Sequence, residues 1–243
     1  MPTMLLALLL VAAGSPADLQ KACNSGKGAA CGELGNRLQD GLGVRRDESR
    51  AVELFRKACK LKNQDGCADE ARALALGVGQ PPDPRGALPV LEKLCKAGRP
   101  RACGHLGDLF LRGLGAPQDA TRAESLLTGA CDKQYPRACA NLVPVAYRKG
   151  DRDKAEQFAN RACELGDASG CAYLGDLYAS SDDTVRAMVQ FKRACDAGYA
   201  HGCSGQGYLL LDSGVDPKKG RELIERGCNG GDAQACERLH QLK

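Results

Sequence analysis

From Cys103 the chain reads Cys-Gly-His-Leu-Gly-Asp-Leu-Phe, with apolar or small residues three, four and seven positions after the cysteine. The same offsets give Leu34, Gly35 and Leu38 after Cys31, and Leu174, Gly175 and Tyr178 after Cys171. Residues so spaced share one side of a helix, so the pattern predicts a helix A with a single buried stripe, starting at or just before the cysteine. The glycine at the fourth position recurs although it costs about 1 kcal/mol in a helix interior relative to alanine. Its recurrence predicts that a neighbouring helix backbone comes close. Segments such as Gly41-Leu42-Gly43-Val44-Arg45-Arg46-Asp47 and Gly113-Leu114-Gly115-Ala116-Pro117-Gln118-Asp119 then supply stop and start signals. A second amphipathic stretch follows, Glu48 to Cys59 in the first unit, and predicts a helix B.

The pattern is periodic. Fourteen cysteines form seven pairs eight residues apart: Cys23 and Cys31, Cys59 and Cys67, Cys95 and Cys103, Cys131 and Cys139, Cys163 and Cys171, Cys195 and Cys203, and Cys228 and Cys236. First members recur after 36, 36, 36, 32, 32 and 33 residues. The step from the alanine of helix B to its cysteine is also constant at eight, from Ala51, Ala87, Ala123, Ala155 and Ala187, with Gly220 in that place before Cys228. All length variation lies between the second cysteine and the next alanine, which is 20 residues in three units and then 16, 16 and 17. Loops absorb such changes and packed junctions do not. A period in this range is that of helical-hairpin solenoids.

Ala51–Cys59, Cys103–Gly115 and Cys171–Tyr178 together resemble the Sel1-like repeat, a relative of the tetratricopeptide repeat, and the cysteine spacing resembles the Hcp-type cysteine-rich secreted subgroup. The resemblance runs from about Asp18 to the C-terminus. It implies an all-α chain: a right-handed α/α solenoid of about six helical hairpins with terminal caps and a disulfide at each junction, as a single domain over residues 18–243. Pro144, inside the expected helix A of the fourth unit, and the shorter later units depart from the pattern and predict altered geometry there.

Eight residues of continuous helix would hold paired cysteines about 12 Å apart, and a disulfide needs their Cα atoms within about 7 Å. Either the pairs are unbridged or the chain turns between them. Lys60–Gly66, Glu164–Gly170 and Asn229–Asp232 carry the Gly and Asn that end helices, which favours a turn. Each bridge would then tie the end of one helix B to the start of the next helix A.

Composition narrows the setting. A net charge of +4, with no long block of one sign, gives no footprint for nucleic acid. The apolar run Leu5 to Ala13 is too short to span a bilayer. Followed by Ser15-Pro16-Ala17, it predicts a signal peptide over residues 1–17, cleaved after Ala17 or alternatively after Gly14, and hence an exported, periplasmic or secreted protein. Gln20-Lys21-Ala22 is a poor lipoprotein box before Cys23. Zinc motifs space cysteines two to four apart, and three histidines are too few to complete sites. Neither Ser-x-x-Lys, Lys-Thr-Gly nor His-Glu-x-x-His occurs. No catalytic residue, cofactor or metal ligand is nominated.

Stacked A helices line the inner surface of this kind of repeat. Positions two, five, six and nine after the second cysteine avoid the buried stripe and are expected to be exposed there. They nominate Asn36, Arg37, Arg72, His105, Asp108, Arg112, Asn141, Arg148, Tyr173, Asp176 and Tyr208 as partner-binding residues. The expected function is a monomeric exported scaffold that binds a protein or an extended peptide. The alternative is a protein that binds or hydrolyses β-lactams or cell-wall peptides, as the Hcp-type resemblance allows.

Overall fold

The computed structural model describes residues 14–242. Among them it has fourteen helices and no strand. The helices of type B are α1 (Pro16–Asn24), α3 (Glu48–Lys60), α5 (Pro84–Lys96), α7 (Ala120–Asp132), α9 (Arg152–Glu164), α11 (Thr184–Asp196) and α13 (Pro217–Asn229). Those of type A are α2 (Gly28–Asp40), α4 (Gln64–Leu76), α6 (Pro100–Arg112), α8 (Pro136–Arg148), α10 (Ala168–Ala179), α12 (Ala200–Asp212) and α14 (Ala233–Gln241). The apolar run and the sequence up to Ala13 lie outside the described residues.

Each B helix from α3 onward starts on an aspartate four residues before its core alanine or glycine: Asp47, Asp83, Asp119, Asp151, Asp183 and Asp216. Each carboxylate accepts the amide hydrogen of the third helical residue at 2.9–3.1 Å, satisfying an otherwise orphan donor. The short α1 has Ser15 as its cap instead, in a reciprocal box with Asp18. Helix B then ends in one left-handed residue, which is Gly26, Gly98, Gly166, Gly198 or Gly231 in five units. Lys62 and Gln134 take that conformation in the other two. Asn63, expected to end helix B, instead starts α4, its side chain accepting the Gly66 amide at 2.7 Å.

Helix A starts three residues before the second cysteine in every unit. The turn between helices brings each cysteine pair to a Cα separation of 4.4–4.8 Å, and all seven expected bridges are present. Cys23 is bonded to Cys31, Cys59 to Cys67, Cys95 to Cys103 and Cys131 to Cys139. In the shorter units Cys163 is bonded to Cys171, Cys195 to Cys203 and Cys228 to Cys236. No described cysteine is free.

The recurrent glycine of helix A meets its own helix B. A Cβ on Gly35 would lie 2.6 Å from the Phe55 ring, and one on Gly107 would lie 2.8 Å from Leu127. The alanine of helix B and the large residue four positions later form the wall against which that glycine fits. Phe55, Leu91, Leu127 and Ile224 are completely enclosed, each contributing about 1.5–3 kcal/mol of burial. Pro144 does not end α8, which continues to Arg148, and Val143 and Val145 on either side of it stay buried.

Beyond each hairpin, A helices pack on A helices: α2 on α4, α4 on α6, α6 on α8, α8 on α10 and α10 on α12. The B helices do not pack on one another to a comparable extent. A stack in contact along one row and splayed along the other curves with the contacting row inside. Curvature brings distant ends together, so that Arg137 on α8 donates to Asp40 at the end of α2 at 2.9 Å. Leu42, in the loop after α2, sits against Gly198, and Arg46 beside Gly231.

Candidate functional site

The inner row lines an open cavity of about 900 Å³. One wall is the C-terminal ends of the early A helices, with Gln39, Asp40, Arg72, Asp108 and Arg112. The other is the N-terminal ends of the later ones and the turns before them, including Arg137, Asp167, Tyr199, His201 and Asp232. Leu42 and Arg46 of the first A–B loop close one side. Of the expected partner-binding residues, five line this cavity together: Arg72, Asp108, Arg112, Asn141 and Tyr173.

The other six lie elsewhere. Asn36 borders a small recess with Glu33, Asp65 and Arg101. Arg37 pairs with Glu33 at 3.1 Å one turn back. Arg148 is exposed and donates to the Pro144 carbonyl at 3.2 Å. Tyr208 is half-buried outside the cavity, and Asp176 stands behind His201. His105 and Asp108, expected on an exposed face, are 3% and 6% exposed. The reason is the tight A–A contact: the ring of Tyr135, from the turn before α8, packs edge-on to His105 at 5.7 Å between centroids.

His105 belongs to a buried polar cluster. Its Nε2 lies 3.0 Å from Asp69 Oδ1, and Arg101 Nη1 donates to Asp69 Oδ2 at 2.8 Å. Asn36 adds a long contact of 3.5 Å. Burial pushes His105 down to about 4 against the opposing pull of Asp69, so it is neutral at physiological pH. Burial works to raise Asp69, but the His105 hydrogen bond and Arg101 outweigh it and hold the carboxyl below its ordinary value. Burial lifts the Tyr135 hydroxyl to about 12.

At the cavity the ions are mostly matched. Arg137 pairs with Asp40, Arg112 with Asp108 at 2.8 Å, and Arg46 with Glu48. Burial acts to lower Arg137, but Asp40 and the neighbouring Tyr135 and Asp167 prevail and raise it. Asp167 is the cap of α10, accepting the Ser169 amide at 3.0 Å. His201 sits between two carboxylates, with Nε2 at 3.0 Å from both Asp176 oxygens and Nδ1 at 3.5 Å from Asp232 Oδ2. The Asp176 hydrogen bond raises its pKa against partial burial. Asp232 Oδ2 has no protein hydrogen bond within normal range, the His201 contact being an ionic one only. Arg72 alone among the cavity's arginines has neither ion pair nor side-chain hydrogen bond to a described residue. Burial, then the like charge of Arg137, lowers its pKa.

The forward count from the cysteine missed Arg137, Tyr199, His201 and Asp232. Arg137 lies two residues before Cys139 and His201 two before Cys203, while Tyr199 and Asp232 lie four before Cys203 and Cys236. A helix that starts three residues earlier puts position −2 on the same side as positions +2, +5 and +9, so an earlier helix start was the available signal.

Among the described residues no group of three or more His, Cys, Asp or Glu side chains could hold a metal ion. No described helix is long and apolar enough to cross a membrane. A disulfide at each helix-B-to-helix-A junction and a concave row of A helices define an α/α repeat solenoid. The chain belongs to the Sel1 repeat family, whose profile matches residues 28–63, 100–135, 145–167 and 203–232, just over half of its length. The first two matched stretches each begin with a helix A and end at the residue before the next one.

No curated protein sequence matches the chain. Solved structures share the fold at low identity. A Sel1 repeat protein from Oxalobacter formigenes is 23% identical with a TM-score of 0.61, over 93% of this chain and 68% of that one. An immunity protein from Pseudomonas aeruginosa is 17% identical with a TM-score of 0.62, over 84% and 83%. A protective antigen present in uropathogenic Escherichia coli strains is 21% identical with a TM-score of 0.56. This chain aligns over 93% of its own length but spans only 51% of that antigen.

Proposed function

We propose that the protein is a disulfide-locked scaffold that binds a protein segment or extended peptide on the inner face of its A helices. The observation that carries this reading is the gathering of Arg72, Asp108, Arg112, Asn141 and Tyr173, from four consecutive A helices, around one cavity. Repetition places donors and acceptors along a line, which matches the backbone groups of an extended chain. The binding reading requires no cofactor. Of the remaining nominated residues, Asn36, Arg37, Arg148, Asp176 and Tyr208 would serve only a partner that extends beyond the cavity.

Seven disulfides fit an oxidising compartment. Export with loss of a leader accords with them, and so does the finer Hcp-type grouping. Of the two cleavage positions, the one after Gly14 leaves Ser15 as the cap of α1. Cleavage after Ala17 would remove that cap together with its reciprocal box with Asp18. The mature protein then begins at Ser15, and N-terminal sequencing that found Asp18 would count against this choice.

Photo-crosslinking tests the binding face. A photoreactive phenylalanine at Tyr173, in the cavity, is expected to capture a discrete partner in the native host. The same probe at Val185, 78% exposed on α11, is expected to capture none. Capture from Val185 alone moves the binding face to the B helices. The β-lactam alternative is separated by a chromogenic β-lactam, for which saturable turnover by the purified protein would replace the scaffold reading.

A further inference from the structure

The arginines of the cavity are not equivalent. Arg137, Arg112 and Arg46 each hold a carboxylate of the chain itself. Arg72, on α4, is half-buried and lines the cavity. Its five N–H groups have no acceptor among the described residues. Asp40 and Asp108 act on it through space without bonding to it. A half-buried guanidinium that no carboxylate of the chain holds keeps its full donor fork for an anion in the cavity, which it can bind through charge-assisted hydrogen bonds.

The surroundings define the anion. Tyr199 gives α12 no side-chain cap, so the first amides of that helix stand uncapped at the cavity wall. Together with Arg72 they favour negative charge. Asp167 and Asp232 line the same space and would repel a doubly charged group. One unpaired cation beside capped carboxylates suits a single negative charge. Asn141, Ser169 and Gln234 add side chains that pair with amides. The volume is at the upper end for small-molecule sites and accommodates a few residues of extended chain.

Resting on the peptide-binding reading above, we infer that Arg72 is the anchor for one carboxylate of an extended peptide seated in the cavity. The carboxylate comes from the peptide's C-terminus or from an acidic side chain, and the probes separate the two.

Nuclear magnetic resonance provides the test, with three tetrapeptides titrated to millimolar concentration into the intact, oxidised protein. Acetyl-tetra-alanine has a free C-terminal carboxylate, its amide has none, and acetyl-Ala-Glu-Ala-Ala-amide has only the side-chain one. The inference expects at least one acidic probe to shift the Arg72 Nε–H resonance saturably, together with the amides of Ala200 and His201, while the neutral amide does not. Whichever acidic probe does so identifies the source. In Arg72→Met, which keeps the apolar stem, the Kd of that probe rises by about tenfold or more, and Arg72→Lys recovers part of the loss. The wild-type resonance needs no variant to fold. Four results would overturn the assignment: no saturable shift from either acidic probe, equal binding of the neutral amide, unchanged affinity in Arg72→Met, or inorganic phosphate binding at Arg72 more tightly than either acidic peptide. Crosslinking from Tyr173 that survives in Arg72→Met would retain the scaffold and remove only the anchor.

Discussion

Two histidines of the inner row face aspartates, and their surroundings move them in opposite directions. His105, in the 36-residue units, is enclosed with Asp69, Arg101 and Tyr135, and burial keeps it neutral. His201, in the 32- to 33-residue units, stands half-buried at the cavity between Asp176 and Asp232, and the Asp176 hydrogen bond favours its charged form. The hydrogen-bond distance to the aspartate is the same, 3.0 Å. Access to water therefore decides between a structural cluster and a solvated ionic one. The His105 cluster holds neighbouring A helices together, whereas His201 and its aspartates stand at the cavity.

The largest expected effect is the loss of Asp69. Asp69→Ala strips a buried carboxylate from Arg101 and His105 and should cost about 3 kcal/mol, measured by urea unfolding. Asp176→Ala, at a half-exposed pair, should cost less than about 1 kcal/mol. Equal losses would abolish the distinction between the two clusters.

Disulfides give a second contrast. Chain entropy assigns about 2.5 kcal/mol to any bridge closing a loop of this length, wherever it lies. Replacing both cysteines of a pair by alanine also leaves a void, and its size depends on enclosure. Cys195 and Cys203 are 1% and 2% exposed, whereas Cys95 and Cys103 are only partly buried. The more C-terminal of these two pairs is therefore expected to cost more in calorimetry, by the packing increment. A larger loss on replacing Cys95 and Cys103 would contradict it.

These contrasts separate what local sequence carries from what it does not. The C-x7-C spacing with intervening Gly and Asn indicated a turn, and the bridges follow from chain geometry within ten residues. Gly35 and Gly107 likewise announced the close approach of helix B, because only a missing Cβ fits against Phe55 or Leu127. The aspartate four residues before each helix-B alanine was equally present in the sequence, hidden by the variable loop before it. His105 was misplaced because its enclosure depends on Tyr135, thirty residues on in the next unit. The Asp40–Arg137 contact joins residues 97 apart. It follows from curvature summed over several units, which no single unit specifies.

Acidity offers a third, smaller effect that distinguishes the two histidines. The unfolded chain binds a proton at His105 below pH 6.5, whereas the folded chain refuses it until about pH 4. Stability therefore falls as pH drops through that window. Asp69 adds to the loss at still lower pH, because its folded value lies below 3.8 and its contribution vanishes as pH falls through it. His201 acts oppositely. Its raised pKa gives a contribution complete below pH 6.5 and lost as pH rises through the folded value. In His105→Gln the decline in melting temperature between pH 6.5 and 4 should flatten. In His201→Gln the flattening should appear above pH 6.5 instead. Parallel profiles in both variants would show that neither histidine governs the response.

The smallest expected effect lies where the two halves meet. Asp40 and Arg137 are each about one-third exposed, so their pair contributes less than about 1 kcal/mol to global stability. Leu42 against Gly198 and Arg46 beside Gly231 add little enclosed area. Asp40→Asn keeps the shape and removes the charge, leaving Arg137 beside Arg72 without its counter-ion. The melting temperature should hardly move, while amide hydrogen exchange rises in residues 41–46 and 198–201, since local opening is governed by local contacts. Added salt should raise exchange in the wild type at the same residues and do less in Asp40→Asn, because screening weakens only a pair that exists. Exchange that stays unchanged in both segments would show that the cavity is closed by the stacking of the A helices alone, with no contribution from the contact across it.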